Sequence, residues 1–194
     1  MTPERTNRIN SVLRNRQGNL AIVMENVHDP HNISAVMRTC DAVGIQDIYV
    51  LNTIIPPHGY FGVRSSSSAA KWLTVHQFGD TRTCFEALRK RYDRIYSTHL
   101  GVDSVSVYDI NFTGSVALVF GNEHQGVSEE SIRLSDGNFI IPQVGMIQSL
   151  NISVACAVTI YEAYRQKKIA GDYDHPDITH PDAQALKLAW KMYG

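Results

Sequence analysis

Residues 20–52 restrict the possible folds more than any other stretch of the chain. Leu20-Ala-Ile-Val-Met-Glu25 is a short, nearly continuous apolar run, the pattern of a strand covered on both faces rather than the alternation of a half-exposed one. Asn26 to His31 then form a connecting loop, and Asn32 to Gly44 read as a helix capped by Asn32 and closed by Gly44. Ile45 to Asn52 supply a second strand. Strand, loop, helix and strand at this spacing make a βαβ unit, whose strands lie parallel. The rest of the chain continues in kind. Trp72–His76 reads as a strand, Thr81–Arg91 as a helix and Arg94–Thr98 as a strand that runs into His99-Leu100-Gly101. Asp103 to Phe112 is a weakly patterned crossover. Ser115-Val-Ala-Leu-Val-Phe120 is the clearest buried strand, Ser128 caps a short helix, and Asn138–Ile141 is the last strand. The expected fold is α/β, a mostly parallel sheet with helices on both faces.

Both ends of the chain read as helical extensions of this domain. Thr2-Pro3-Glu4 has the order of a cap, a first-turn proline and a first-turn acid, with Ile9, Val12 and Leu13 following at helical spacing. Arg5, Arg8, Arg14 and Arg16 surround them, which suits a solvated basic helix and an arm on phosphate about equally. Residues 1–18 are therefore one unit, 19–171 the main domain, and 172–194 an extension with a small docking helix marked by Ala183, Leu186 and Trp190. Net charge is -1, so any attraction for nucleic acid must be local. Three well-separated cysteines, Cys40, Cys84 and Cys156, fit free thiols in a reducing compartment. No run approaches the roughly 18 apolar residues of a membrane span, and no apolar signal segment opens the chain. A cytoplasmic protein is expected.

The most unusual loop is Ile141-Pro-Gln-Val-Gly145-Met-Ile-Gln-Ser149-Leu-Asn151, which leads into a helix beginning near Leu150 and ending near Lys168. It is apolar where surface loops are polar, so a flat and partly apolar partner suits it. Ser149 and Asn151 read either as helix caps or as side chains facing the chemistry of a cofactor loop. Familiar catalytic motifs are missing. Gly121 to Gly126 has phosphate-loop glycine spacing but no Lys-Ser/Thr after it. His28, Asp29 and His31 fit ordinary loop residues better than a metal site, and there is no G-x-S-x-G elbow. Long segment 53–71, with Arg64 and the run Ser65–Ser68, reads as surface loop or as backbone near a polyanion. What remains is a set of polar residues where strands end or helices begin: Asn32, Arg38, Glu123, Ser149 and Asn151. In an open parallel sheet, ligands bind beyond the carboxyl ends of strands. Each residue also has a plain structural role, with Asn32 as a cap and Arg38 paired to Asp41 at i,i+3.

Three stretches carry a resemblance. Asn26-Val-His-Asp-Pro-His-Asn32-Ile-Ser-Ala35-Val-Met-Arg38-Thr39-Cys-Asp41-Ala-Val-Gly44, Phe120-Gly-Asn-Glu123-His-Gln-Gly126-Val-Ser128 and Ile141-Pro142-Gln-Val-Gly145-Met-Ile-Gln-Ser149-Leu-Asn151-Ile-Ser-Val-Ala155 are similar to the three motifs of the SpoU branch of SPOUT methyltransferases. Within that branch the chain is similar to the TrmH type. Ser65–Ala70 and the tail past Gly171 depart from it. The resemblance implies a trefoil-knotted domain that dimerises and binds S-adenosylmethionine. The implied activity is 2′-O-methylation of guanosine in the tRNA D-loop; ribosomal RNA, another tRNA position or a non-catalytic RNA-binding role are the alternatives. The roughly 19 residues before the first strand are few for the extra RNA-binding domain of ribosomal relatives. By position, Arg38 is the implied catalytic centre, with Asn32, Glu123, Ser149 and Asn151 around it. Thr98, His99, Leu100, Gly121, Ile141, Met146, Ser149 and Leu150 would hold the cofactor. Arg5, Arg8, Arg14, Arg16, Arg64, Arg165, Lys167 and Lys168 would contact RNA. No metal is implied.

Overall fold

The computed structural model describes residues 2–58, 69–101, 103–174 and 181–191. Among them are seven strands, β1 (Gln17–Glu25), β2 (Ile45–Leu51), β3 (Thr74–Phe78), β4 (Arg94–Thr98), β5 (Val105–Ser106), β6 (Val116–Phe120) and β7 (Gly137–Ile140). They form one sheet in the order β3-β2-β1-β6-β4-β7-β5, and every pairing in it is parallel. The helices are α1 (Pro3–Arg14), α2 (Pro30–Val43), α3 (Thr81–Arg89), α4 (Glu129–Leu134), α5 (Ile152–Ala170) and α6 (Pro181–Lys191).

The central place of β1, between β2 and β6, accounts for its unbroken apolar run. Leu20, Ile22 and Met24 pack with α2 and α5 on one face. Ala21 and Val23 pack with α3 on the other, where Ile132 and Leu134 of α4 also sit, as the two-residue period of a strand requires. The larger of these side chains, fully covered, contribute about 1.5–3 kcal/mol each, so a charge at Ile22 would disrupt the packing of α2 and α5 on the sheet. Sheet order was not readable from the sequence. β4 enters between β6 and β7, so the chain crosses over it through α4 before reaching β7.

Element ends differ from expectation for local reasons. Helix α2 starts at Pro30 with Asp29 as its cap, because the Asp29 carboxylate accepts the His31 N–H at 2.8 Å and proline suits the first helical position. Asn32 therefore stands inside the first turn, free of the capping role. Gly44 closes α2 with φ 85°. Helix α5 starts at Ile152, two residues later than expected, with Asn151 as cap. Strand β3 starts at Thr74 because Ala69–Trp72 wind into a short 3-10 turn. The crossover at 103–112 contains β5 and a second such turn, Val107–Asp109.

Two expected RNA contacts turn out to be internal. The Arg16 side chain is 5% exposed; its Nη2 donates to Asp41 Oδ1 at 2.5 Å and to the Trp72 carbonyl at 3.2 Å, and its Nη1 to the Ile45 carbonyl at 3.2 Å. Burial pulls its pKa down from the ordinary guanidinium value, and Asp41 partly offsets this. Asp41 thus pairs with Arg16 and not with Arg38. Lys167 is fully buried, with Nζ donating to Asn19 Oδ1 at 3.0 Å and Asp172 Oδ2 at 3.2 Å. Both residues tie the chain ends to the amino ends of the strands. There α1 and α6 pack through Ile9, Leu13 and Trp190, with Trp72 and Leu186 alongside.

Candidate active site

Three loops meet at the carboxyl ends of the strands, and one asparagine joins them. Asn32, in the first turn of α2, donates from Nδ2 to Glu123 Oε1 in the loop after β6. Its Oδ1 accepts from Asn151 Nδ2 at 3.1 Å, at the start of α5. Asn151 meanwhile caps that helix, its Oδ1 accepting the Ser153 N–H at 2.9 Å and the Ser153 hydroxyl at 2.5 Å. Asn151 can cap α5 with its acceptor end and reach Asn32 with its donor end, because an amide has separate donor and acceptor ends.

Beside this chain of hydrogen bonds lies a cleft of ≈ 510 Å³, within the range of small-molecule sites. Phe120, Phe139 and Ile152 form apolar walls, and Thr98, His99, Leu100, Gly121, Ile141, Ser149 and Leu150 also line it. The loop after β6 is folded hard against itself. A Cβ on Gly121 would lie 1.9 Å from the Gly126 carbonyl carbon and 2.2 Å from the Val127 nitrogen, so only glycine fits. Asn122 Oδ1 closes the turn by accepting the His124 and Gln125 N–H groups at 2.9 and 2.8 Å. Such a pocket suits an adenine ring and a methionyl chain, which need apolar walls and main-chain hydrogen bonds. A phosphate cradle would look different. No group of three or more His, Cys, Asp or Glu among the described residues is placed to hold a metal.

Other expected site residues stand further out. Arg38 is exposed on α2, about 9 Å along the helix axis from Asn32 at 1.5 Å per residue. It makes no hydrogen bond or ion pair with other described residues, leaving its guanidinium available. Met146 is 96% exposed, as are Val144 (108%) and Ile147 (70%), and Met146 is not among the lining residues. Arg8, Arg14 and Lys168 are exposed and Arg5 half-buried. Arg165 is 60% exposed and makes two 2.8 Å hydrogen bonds to Glu162. That hydrogen-bonded pairing raises the Arg165 pKa and lowers that of Glu162. Arg64 lies outside the described residues.

Three residues not expected from the sequence lie at this end of the sheet. Asn122 holds the turn, and His124 faces the cleft with its ring 6.3 Å from that of His28. Glu25 is fully buried at the end of β1. A carboxylate closing an otherwise apolar strand was the available signal. A second cleft of ≈ 440 Å³ opens at the amino ends of the strands, where Arg16 is held by Asp41 and Arg91 by Asp47; those charges are already paired within the fold.

Comparison with known proteins agrees with this geometry. A tRNA (guanosine(18)-2′-O)-methyltransferase of Thermus thermophilus is 40% identical over 190 residues, 97% of this chain and 96% of that protein. The Escherichia coli protein of the same name is 35% identical, covering 98% of this chain and 82% of its own length. A crystal structure of the A. aeolicus TrmH/SpoU tRNA modifying enzyme superposes with a TM-score of 0.90 at 33% identity, over 98% of this chain and 96% of that one. The matched length therefore includes the tail past Gly171, which was expected to depart from the family. An AviRb methyltransferase from Streptomyces viridochromogenes solved with AdoMet superposes at 0.71, with 26% identity, over 79% of this chain and 59% of that one. Residues 19–161 match the SpoU rRNA methylase family, which contains all three motif stretches and the cleft they enclose, and to that family this chain belongs.

Proposed function

We propose that this protein transfers a methyl group from S-adenosylmethionine to the 2′-hydroxyl of a guanosine in the D-loop of tRNA. The observation that carries the reading is the hydrogen-bond chain Glu123–Asn32–Asn151, which links all three motifs beside one apolar cleft. The relatives matching nearly end to end are named for tRNA guanosine. A relative named for 23S rRNA is matched over only 65% of its length, which favours the tRNA reading.

When bound, S-adenosylmethionine supplies a methyl group on a sulfonium. The chain's residues do the rest. Thr98, Gly121, Ile141 and Leu150 shape the cleft that orients it, and Ser149 lies at its mouth. Asn32 fixes the loop bearing Glu123 against the start of α5, so the pocket keeps its form before substrate arrives. Holding donor and nucleophile in line contributes several kcal/mol toward the barrier. Arg38 faces the ribose and stabilises the oxyanion that develops on O2′. A guanidinium is a poor base, so the departing proton goes to a substrate phosphate oxygen beside it. The C–S bond breaks with its electron pair on sulfur as the C–O bond forms.

The working unit in this reading is a homodimer with a knotted chain. Val144, Met146 and Ile147 stand nearly bare, and Val154 and Tyr161 of α5 are exposed as well, apolar surface of the kind that a second protomer covers. What supports the threading is that α4, before β7, packs on one face of the sheet and α5, after it, on the other, while the loops at 121–127 and 141–151 line one cleft. The test is methylation of tRNA transcripts with labelled donor, followed by mapping of the modified nucleotide. Arg38→Ala should abolish transfer while leaving donor affinity within about threefold, less than 1 kcal/mol. Loss of donor binding in that variant would make Arg38 structural and overturn its assignment.

A further inference from the structure

Glu25 has no part in the mechanism above, yet it is among the most enclosed charged residues in the chain, with 0% exposure. It ends β1, and no cation among the described residues is paired with it. Its two oxygens are used one each: Oε2 accepts the Ser128 N–H at 3.1 Å, and Oε1 accepts the Ser131 hydroxyl at 3.1 Å. Ser128 is the cap of α4, and Ser131 is itself fully buried. The loop carrying Gly121, Asn122 and Glu123 is thus held at its start by β6 and at its end by Glu25. The next residue keeps the carboxylate in place. Asn26 has φ 51°, the one positive value outside glycine among the described residues, and its Oδ1 accepts the Thr53 and Ile54 N–H groups at 2.8 and 3.1 Å. A bulky residue would not hold that conformation without strain.

We propose that Glu25 is a positioning residue that sets the affinity for the methyl donor by clamping the far end of the 121–128 loop. This inference rests on the functional reading above. The clamp works through geometry: the Ser128 N–H can only donate, whereas the Ser131 hydroxyl can donate or accept. A neutral glutamine therefore satisfies both positions, with its carbonyl on Ser128 and its amide on Ser131. Alanine satisfies neither and leaves a buried N–H without a partner.

The experiment is isothermal titration of S-adenosylmethionine into the wild-type protein, Glu25→Gln, Glu25→Ala and Ser131→Ala, with the melting temperature of each recorded. Glu25→Gln should bind within about twofold of wild type. Glu25→Ala should bind at least about tenfold more weakly, or about 1.4 kcal/mol, and Ser131→Ala should fall between them. KM for the donor should follow Kd, while KM for tRNA should not move. If Glu25→Ala does not fold, Ser131→Ala and Glu25→Gln decide the matter. Folded variants that differ in melting temperature but share the wild-type Kd would overturn the inference and leave Glu25 a stabilising residue only. Failure of the wild-type protein itself to bind the donor would overturn the functional reading instead.

Discussion

Arg16→Ala separates a structural arginine from the neighbouring ones proposed to face RNA. The side chain is 5% exposed and makes three charge-assisted hydrogen bonds, to Asp41, Ile45 and Trp72. Its guanidinium carbon also lies 5.1 Å from the centre of the Trp190 ring. Removing one partner of a buried pair costs about 3–5 kcal/mol. Asp41 is 35% exposed, so water recovers part of its lost interaction and the lower end, about 3 kcal/mol, applies. For a chain of this length each kcal/mol lowers Tm by about 2–4 °C, which puts the expected drop near 6–12 °C. Thermal unfolding followed by circular dichroism at fixed protein concentration measures it. Arg8→Ala and Arg14→Ala, on exposed positions of α1 just before Arg16, should shift Tm by no more than about 2 °C. They should weaken tRNA binding, with a shallower salt dependence than wild type. An Arg16→Ala protein with unchanged Tm and much weaker tRNA binding would refute this assignment and return Arg16 to the RNA surface.

Two further substitutions probe the loop and the opposite side of the sheet. Gly121→Ala places a methyl group 1.9 Å from the Gly126 backbone, so the loop must open; donor affinity should fall at least about tenfold, or 1.4 kcal/mol, and a wild-type Kd by titration would show that the tight turn is dispensable. Asp136 supplies a pH prediction. Burial pushes its carboxyl up, but hydrogen bonds from Arg89 (2.5 Å) and the Ile95 N–H (2.7 Å) outweigh this and hold it below its ordinary value. A depressed carboxyl stabilises the fold above the unfolded-chain pKa of about 3.9 and loses that contribution as pH falls through the lower folded value. Asp136→Asn should therefore be less stable at neutral pH and show a flatter acid limb below about pH 4 in urea midpoints; parallel limbs would contradict this.

The parallel α/β fold was legible because its central strands must be apolar on both sides, and β1 and β6 announce themselves as unbroken runs. Strand order was not. A run such as Arg94–Thr98 has the same composition whether it lies at an edge or, as here, between β6 and β7. Both Asp29 and Asn32 are good caps, and only Pro30 at the first helical position pointed to the former. Arg16 and Lys167 read as surface residues in the sequence because cations usually belong there. Their partners Asp41, Asn19 and Asp172 are distant in sequence or unremarkable in type, so nothing local marked them. The proposed site residues were nameable through three motifs that the family match contains, whereas the hydrogen bonds joining Asn32 to Glu123 and Asn151 span 91 and 119 residues and no periodicity reaches that far. Glu25 hid for a related reason: its use depends on a serine 106 positions away.

Both tryptophans of the chain sit in one junction. Trp72 and Trp190 meet edge to face with ring centres 5.6 Å apart, and Arg16 covers the second of them. The indole emission of this protein therefore reports a single event, the docking of the last helix against the first. The cleft lies at the other end of β1, about 30 Å away for nine residues in extended form. Donor binding will be nearly silent in tryptophan fluorescence, while detachment of the chain ends will dominate it, ahead of any melting of the sheet.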